Sequence, residues 1–318
     1  MDAAPACLVT VTDDAFAIGT EVLIHSFRKY NPWFRGDVVL ITDGLGPSAR
    51  ARLAAQGPFE IVEPHPDIRA RTARLASAFP RIRDIYRRFY SIETFRLQGY
   101  ETVLYVDSDA YVAGDLSELF SRAEPFLAGP DGYTLEDMVA PLLEPALGGQ
   151  IRGAPRYGRT IERSFNSGVM VARPPVVSLD TWRGLLDCLE DDLDLADTPF
   201  TDQLVLNRYF QGRFEQMSAR FNYVVSLEAY IRAAEGIGCL DARIVHFTRL
   251  KPWNVYAPGD VERYAPQFVK IIDAWRQLLE EARAGSEPPG RWAETLARQH
   301  AWLEMGNLDR FVPIGRIE

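Results

Sequence analysis

Cysteine is scarce in this 318-residue chain: Cys7, Cys188 and Cys239 are odd in number and far apart. Such spacing offers neither a disulfide framework nor a zinc knuckle, so each thiol is expected to be a small buried hydrophobe in a reducing compartment. Basic side chains are in deficit as well. Lys plus Arg total 35 against 44 for Asp plus Glu, a formal charge of -9. Binding through a phosphate backbone needs a concentrated basic surface, so no nucleic-acid partner is expected. Long apolar runs are missing, and none nears the roughly 18 residues of a spanning helix. Residues 1–6 hold no basic stretch leading into an apolar core, so no secretory leader is expected and the expected location is cytoplasmic. Neither an internal repeat nor a low-complexity segment interrupts the chain.

What is present fits an ordinary globular enzyme or binding protein. The chain is 47% hydrophobic and 25% charged, ample for a core. At about 150 residues per domain, the length allows one large domain or two modest ones. Residues 7–12 form a β-branched run ending at Asp13-Asp14, and residues 15–30 carry Phe16, Val22, Leu23 and Phe27 near helical spacing. The run 38–42 has no polar alternation and is closed by Asp43-Gly44, as in a strand buried on both faces. A helix over 47–56 and a strand over 59–62 follow, a pattern that predicts a parallel sheet with right-handed crossovers. Residues 81–97 read as a helix, 102–106 as a buried strand, and 169–171 and 244–247 as further strands. The stretch 129–163 reads as a long irregular excursion near a site. A helical pattern runs from 261, is broken at Pro288-Pro289-Gly290, and resumes over 291–305.

Four pieces carry chemistry. Tyr105-Val106-Asp107-Ser108-Asp109 places two carboxylates one residue apart directly after a buried strand. Strict alternation sends them to opposite faces, whereas a turn at Ser108 lets both reach one metal. Hard oxygen ligands suit Mg²⁺ or Mn²⁺ shared with a diphosphate. The same triplet recurs at Asp192-Leu193-Asp194, but there it reads as a solvated helix end. The first stands at the carboxyl end of a strand, where open α/β sheets bind ligands. Phe165-Asn166-Ser167-Gly168 offers polar groups and a glycine, fitting either a sugar or ribose site or a plain turn before a strand. Thr201-Asp202-Gln203 opens a helical run, where capping is the commoner role. His246 ends an apolar strand, as a ligand or as a hydrogen-bonded core histidine. Lys251 beside rigid Pro252 supplies a point charge for a phosphate.

In this order the pieces resemble glycosyltransferase family 8, retaining enzymes of the glycogenin and lipooligosaccharide galactosyltransferase type. The resemblance runs from about Cys7 to Trp253 and includes the opening Thr10-Val11-Thr12-Asp13-Asp14-Ala15-Phe16. It implies an α/β fold: one nucleotide-sugar-binding, Rossmann-like domain of the GT-A type with a mixed, mainly parallel sheet over 1–256, then C-terminal helices over 257–318. It also implies transfer of a hexose from a UDP-hexose, UDP-glucose or UDP-galactose, to a hydroxyl of an acceptor such as a glycan or a lipid-linked sugar. By position, Thr10, Thr12, Asp13 and Phe16 would hold the uracil and ribose. Asp107, Asp109 and His246 would bind Mn²⁺ or Mg²⁺, with Ser108 between them at the nucleotide sugar. Asn166, Ser167 and Asp131 would contact the donor sugar, Lys251 the diphosphate, and Asp202 and Gln203 the anomeric carbon. Retention would follow from same-face attack or from a covalent intermediate.

Two positions depart from the family's pattern. The His246-to-Lys251 segment is one residue short and lacks a glycine, and Ser91 stands where a Lys or Arg is usual, with Arg87 and Arg88 nearby as substitutes. The rival readings are a sugar-phosphate nucleotidyltransferase, disfavoured because Asp13-Asp14-Ala15-Phe16 is no glycine-rich phosphate loop, and a catalytically silent nucleotide-sugar binder. Trp275, Trp292 and Trp302, among arginines, raise peripheral membrane contact as a minority expectation.

Overall fold

The computed structural model of the protein describes residues 5–147, 163–191, 201–248, 251–253 and 267–284. The strands β1 (Ala6–Val11), β2 (Asp37–Ile41), β3 (Glu60–Val62) and β4 (Thr102–Val106) are parallel to one another. The buried runs of β1, β2 and β4 follow from cover on both faces, while β3, at the sheet edge, is shorter and only partly buried. Cys7, Val9, Val103 and Tyr105 join Phe89 and Tyr90 in one apolar cluster, while Leu8, Val38, Leu104 and Val106 join Leu23 and Phe27 of α1 (Ala17–Tyr30) in another. The helix α2 (Pro47–Ala55) completes the expected strand–helix alternation.

Beyond β4 the sheet becomes mixed. Its order is β3-β2-β1-β4-β7-β6-β8, where β6 (Phe126–Pro130) and β7 (Phe165–Ala172) are antiparallel partners, β7 is antiparallel to β4, and β8 (Glu215–Gln216) is parallel to β6. A second, three-stranded sheet is ordered β5-β10-β9, from β5 (Ala110–Val112), β9 (Tyr223–Val224) and β10 (Ile244–His246). Among the described residues no helix is long and apolar enough to cross a membrane.

Three expectations change. Residues 86–96 are 3₁₀ rather than α-helical, and everything from Phe89 to Phe95 is buried, so the amphipathic stripe of a surface α-helix is missing there. The excursion 129–163 begins with the end of β6 and continues as α5 (Gly132–Leu147), whose Pro141 and Pro145 disguise its helical pattern. Its remainder, 148–162, lies outside the described residues, as do Asp192-Leu193-Asp194 and the helix expected over 291–305. The helices α3 (Pro66–Ala78), α4 (Ser117–Ser121) and α6 (Leu179–Asp191) were not anticipated. After α7 (Thr201–Tyr209) and α8 (Glu228–Glu235), the last described helix is α9 (Gln267–Arg283).

The helix α9 lies on α1. Its Ile271, Ile272, Trp275, Leu278 and Leu279 share an apolar cluster with Ile18, Val22 and Trp253. The Arg283 guanidinium donates from Nε and Nη2 to the two oxygens of buried Glu21, each at 2.8 Å. Trp275 is 1% exposed and stacks near Trp253, so it faces no membrane; Trp292 and Trp302 lie outside the described residues.

Candidate active site

The backbone explains how two alternate acids converge. Past β4 the chain turns at once, with the Ala110 N–H donating to the Asp107 carbonyl at 3.0 Å, and leaves as β5 in the other sheet. The Asp107 N–H is anchored on the Gly168 carbonyl of β7 at 2.8 Å. β10 pairs antiparallel with β5, setting His246 opposite Ala110, and the Phe247 N–H donates to the Asp109 carbonyl at 3.1 Å. The turn and that register therefore place the imidazole against both carboxylates.

Nε2 of His246 lies 3.4 Å from Oδ2 of Asp107 and 3.2 Å from Oδ1 of Asp109. Ligand atoms of the three residues all fall within 4.8 Å of one another. Oδ1 of Asp109 is buried and has no hydrogen-bond partner apart from its approach to Nε2 of His246, a setting that a coordinating cation would satisfy. Two hard oxygens and one imidazole nitrogen suit Mg²⁺ or Mn²⁺. Tyr105 donates its hydroxyl to Oδ1 of Asp107 at 2.7 Å, leaving Oδ2 for the shared point. Burial opposes ionisation of Asp109, but Lys251 and His246 outweigh it and hold the carboxyl below its usual range. Burial likewise favours neutral His246, and the acids outweigh that too, raising it to about 9. Lys251 places its ammonium on Oδ2 of Asp109 and on the carbonyls of Phe247 and Thr248, the last at 3.2 Å.

These groups line a cavity of about 380 Å³. Thr12, Asp13, Phe16, Ser108, Asp131, Asn166, Ser167, Asp202 and Gln203 line it with them, so thirteen of the fourteen residues singled out in the sequence meet in one place. The exception is Thr10, which is fully buried within β1 with an unpartnered hydroxyl and is not part of the lining. Thr10 is still inside β1, which ends at Val11, whereas Thr12 lies past the strand end where the cavity opens. Asp13 caps the turn into α1, its Oδ1 accepting the Ala15 and Phe16 N–H groups at 2.9 and 3.0 Å. Asp131 caps α5 by accepting the Thr134 N–H at 2.9 Å.

Asp202 enters from α7. Ser91 and Ser167 donate to its Oδ2 at 3.0 and 3.3 Å, and Thr201 to its Oδ1 at 2.9 Å. Thr201 has φ +41°, a left-handed conformation costly for a β-branched residue and found at functional turns. Burial and then the charge of Asp107 push Asp202 up to about 6, against Thr201, Arg88 and Ser91, which lower it. Of the two arginines offered as substitutes at Ser91, Arg88 is thus the one felt at Asp202. Arg87 instead donates Nε to Asp43 at 2.8 Å and lies 3.6 Å from Asp13.

Sequence reasoning passed over Asn222, named Tyr105 only as part of the strand before Asp107, and named Ser91 only as a departure from the family's pattern. Tyr105 was legible, because two residues apart on a strand share a face with Asp107. Asn222 carried no local signal: it sits in a turn after the 3₁₀ segment Ala219–Phe221 and reaches His246 only through the fold.

The comparisons with known proteins agree with this geometry. A family model described as "Glycosyl transferase family 8" matches residues 7–257. Glycosyltransferase GlyB of Streptococcus pneumoniae is 28% identical over 190 residues, which are 55% of this chain and 40% of that protein. Glycogenin-1 of Mus musculus is 25% identical over 170 residues, 51% of this chain and 40% of that one. The match thus spans well under two thirds of these relatives' lengths. Among solved structures, galactosyltransferase LgtC in complex with donor and acceptor sugar analogues superposes with a TM-score of 0.63 at 18% identity, covering 91% of this chain and 100% of that one. Glycosyltransferase GlyE of Streptococcus pneumoniae gives a TM-score of 0.57 at 17% identity, covering 92% and 63%. The mixed, mainly parallel sheet is the GT-A fold, and the chain belongs to glycosyl transferase family 8.

Proposed function

We propose that the chain is a metal-dependent, retaining glycosyltransferase that moves a hexose from UDP-glucose or UDP-galactose to a hydroxyl of a glycan or lipid-linked acceptor. The observation that carries this reading is the meeting of Asp107, Asp109 and His246 in the same cavity as Asp202 and Gln203. Thr12, Asp13 and Phe16 hold the uracil and ribose, with Phe16 braced edge-on by Trp253, ring centroids 5.8 Å apart. Asn166, Ser167 and Asp131 orient the sugar, and Ser108 lies under the donor between the two acids.

Asp107, Asp109 and His246 would hold Mn²⁺ or Mg²⁺, which supplies Lewis-acid charge to the leaving diphosphate. Lys251 adds a second positive group for the same oxygens. Positive charge grows on the sugar ring as its bond to the diphosphate breaks. Ionised Asp202 and the Gln203 side-chain carbonyl stabilise that charge, in a buried setting where electrostatic effects are strong.

A donor-hydrolysis screen over nucleotide sugars, with and without Mn²⁺, tests this without needing the acceptor. Slow hydrolysis of a UDP-hexose that stops on chelation, and that Asp109→Ala abolishes, is the expected result. Pyrophosphate release from a nucleoside triphosphate would replace the reading with nucleotidyl transfer. A silent binder is the second reading, favoured by Lys251 resting on Asp109 after the shortened segment. Tight nucleotide-sugar binding with no hydrolysis of any donor would establish it.

A further inference from the structure

A chain of amides joins the two halves of the cavity, and one backbone group sets its direction. The Gly168 N–H can only donate, and it donates to Oδ1 of Asn166 at 3.0 Å. That oxygen is therefore the acceptor for the second amide reaching it, Nδ2 of Asn222, at 2.8 Å. With its nitrogen committed there, Asn222 turns Oδ1 toward Nδ1 of His246, 3.0 Å away, so Nδ1 carries a proton and donates it. Nε2 is then the ring nitrogen that faces Asp107 and Asp109. At the other end, Nδ2 of Asn166 donates to Oε1 of Gln203 at 2.9 Å. Asn222 is 1% exposed, and a Cβ on Gly129 would lie 2.8 Å from its own Cβ, so close packing fixes the amide in place.

We propose that Asn222 is the positioning residue of this site. It holds His246 with Nε2 toward the cation and, through Asn166, sets the orientation of the Gln203 amide at the sugar. Hydrogen-bond partners of ligating histidines fix the tautomer and ring orientation, and their loss typically lowers metal affinity about 10–100-fold. The inference rests on the proposed metal-dependent transfer, and its test separates the two.

The experiment is titration of the full-length, nucleotide-free protein with Mn²⁺, followed by electron paramagnetic resonance, alongside UDP-hexose hydrolysis. Asn222→Ala should lower Mn²⁺ affinity about 10–100-fold. Asn166→Ala removes the link to Gln203 and frees the Asn222 nitrogen but leaves Asn222 beside His246, so hydrolysis should fall while Mn²⁺ affinity falls by less than in Asn222→Ala. Asn222→Asp keeps the acceptor for Nδ1 but loses the donor to Asn166. It should therefore restore Mn²⁺ binding without restoring hydrolysis, and it serves as the deciding variant if Asn222→Ala does not fold. Wild-type affinity in Asn222→Ala, or full hydrolysis in Asn222→Asp, overturns the inference and leaves the transferase reading standing. A wild-type protein that binds no Mn²⁺ at all removes both.

Discussion

Adding one methyl group at Gly168 should dismantle the cation site without removing any polar atom. Gly168 is not among the glycines with positive φ, so alanine is compatible with its backbone in β7. The space is not free, however. A Cβ there would lie 2.1 Å from Cε1 of His246, 2.6 Å from its Nδ1 and 2.9 Å from Oδ2 of Asp107. Carbon contacts are comfortable at about 3.5 Å, so the ring must retreat by more than about 1 Å. Ligand distances tolerate only about 0.2 Å, so an imidazole displaced that far no longer coordinates. Overpacking of this kind costs about 1–3 kcal/mol, a melting-point loss of a few degrees for a chain of this size. Mn²⁺ affinity should fall about tenfold or more, as when a histidine ligand loses its orientation. Gly44→Ala is the control, since a Cβ at Gly44 meets nothing within 4 Å. The assay is Mn²⁺ titration by electron paramagnetic resonance beside a thermal melt. A Gly168→Ala protein that folds and binds Mn²⁺ as tightly as wild type refutes the placement of His246.

Two other perturbations follow from the same geometry. Asp202 is raised to about 6 by burial and Asp107, so donor hydrolysis should decline as pH falls below about 6 and that limb should vanish from the residual activity of Asp202→Asn. The linkage has a defined sign: a carboxyl raised above its unfolded value of 3.8 favours the fold only when protonated. Asp202→Asn should therefore melt above wild type at pH 7–8, by up to about 3 kcal/mol, with the advantage fading toward pH 4; an unchanged difference across that range contradicts it. Lys251→Met removes the ammonium that rests on Asp109, so the nucleotide-free protein should bind Mn²⁺ more tightly while its UDP affinity drops. Calorimetry that shows both affinities falling together would argue against that dual role.

Much of the site was legible because its residues end strands. Asp107 and Asp109 follow an unbroken apolar strand, and His246 closes another, so their positions at strand ends could be read locally. What could not be read was the convergence itself, which depends on β5 leaving for a second sheet and on its register with β10. The parallel strands β2 and β4 were equally plain, since burial on both faces leaves continuous apolar runs, whereas β3, at the sheet edge, was read from a short run alone. Residues 81–97 were read as a helix, but within 86–96 the burial of everything from Phe89 to Phe95 leaves no stripe to choose between α and 3₁₀ geometry. The helix α5 hid behind two prolines, and Thr10 was included with Thr12 because a motif records sequence neighbours and not where the strand ends, at Val11. Asn222 escaped because its importance lies entirely in long-range hydrogen bonds.

The most direct test is diffraction from crystals grown with UDP and Mn²⁺, with data collected on both sides of the manganese absorption edge. A single anomalous peak bounded by Asp107, Asp109, Nε2 of His246 and the diphosphate oxygens is the predicted result. UDP in the cavity with no peak at that point, or a peak held by other residues, would contradict the claim that these three side chains share one cation.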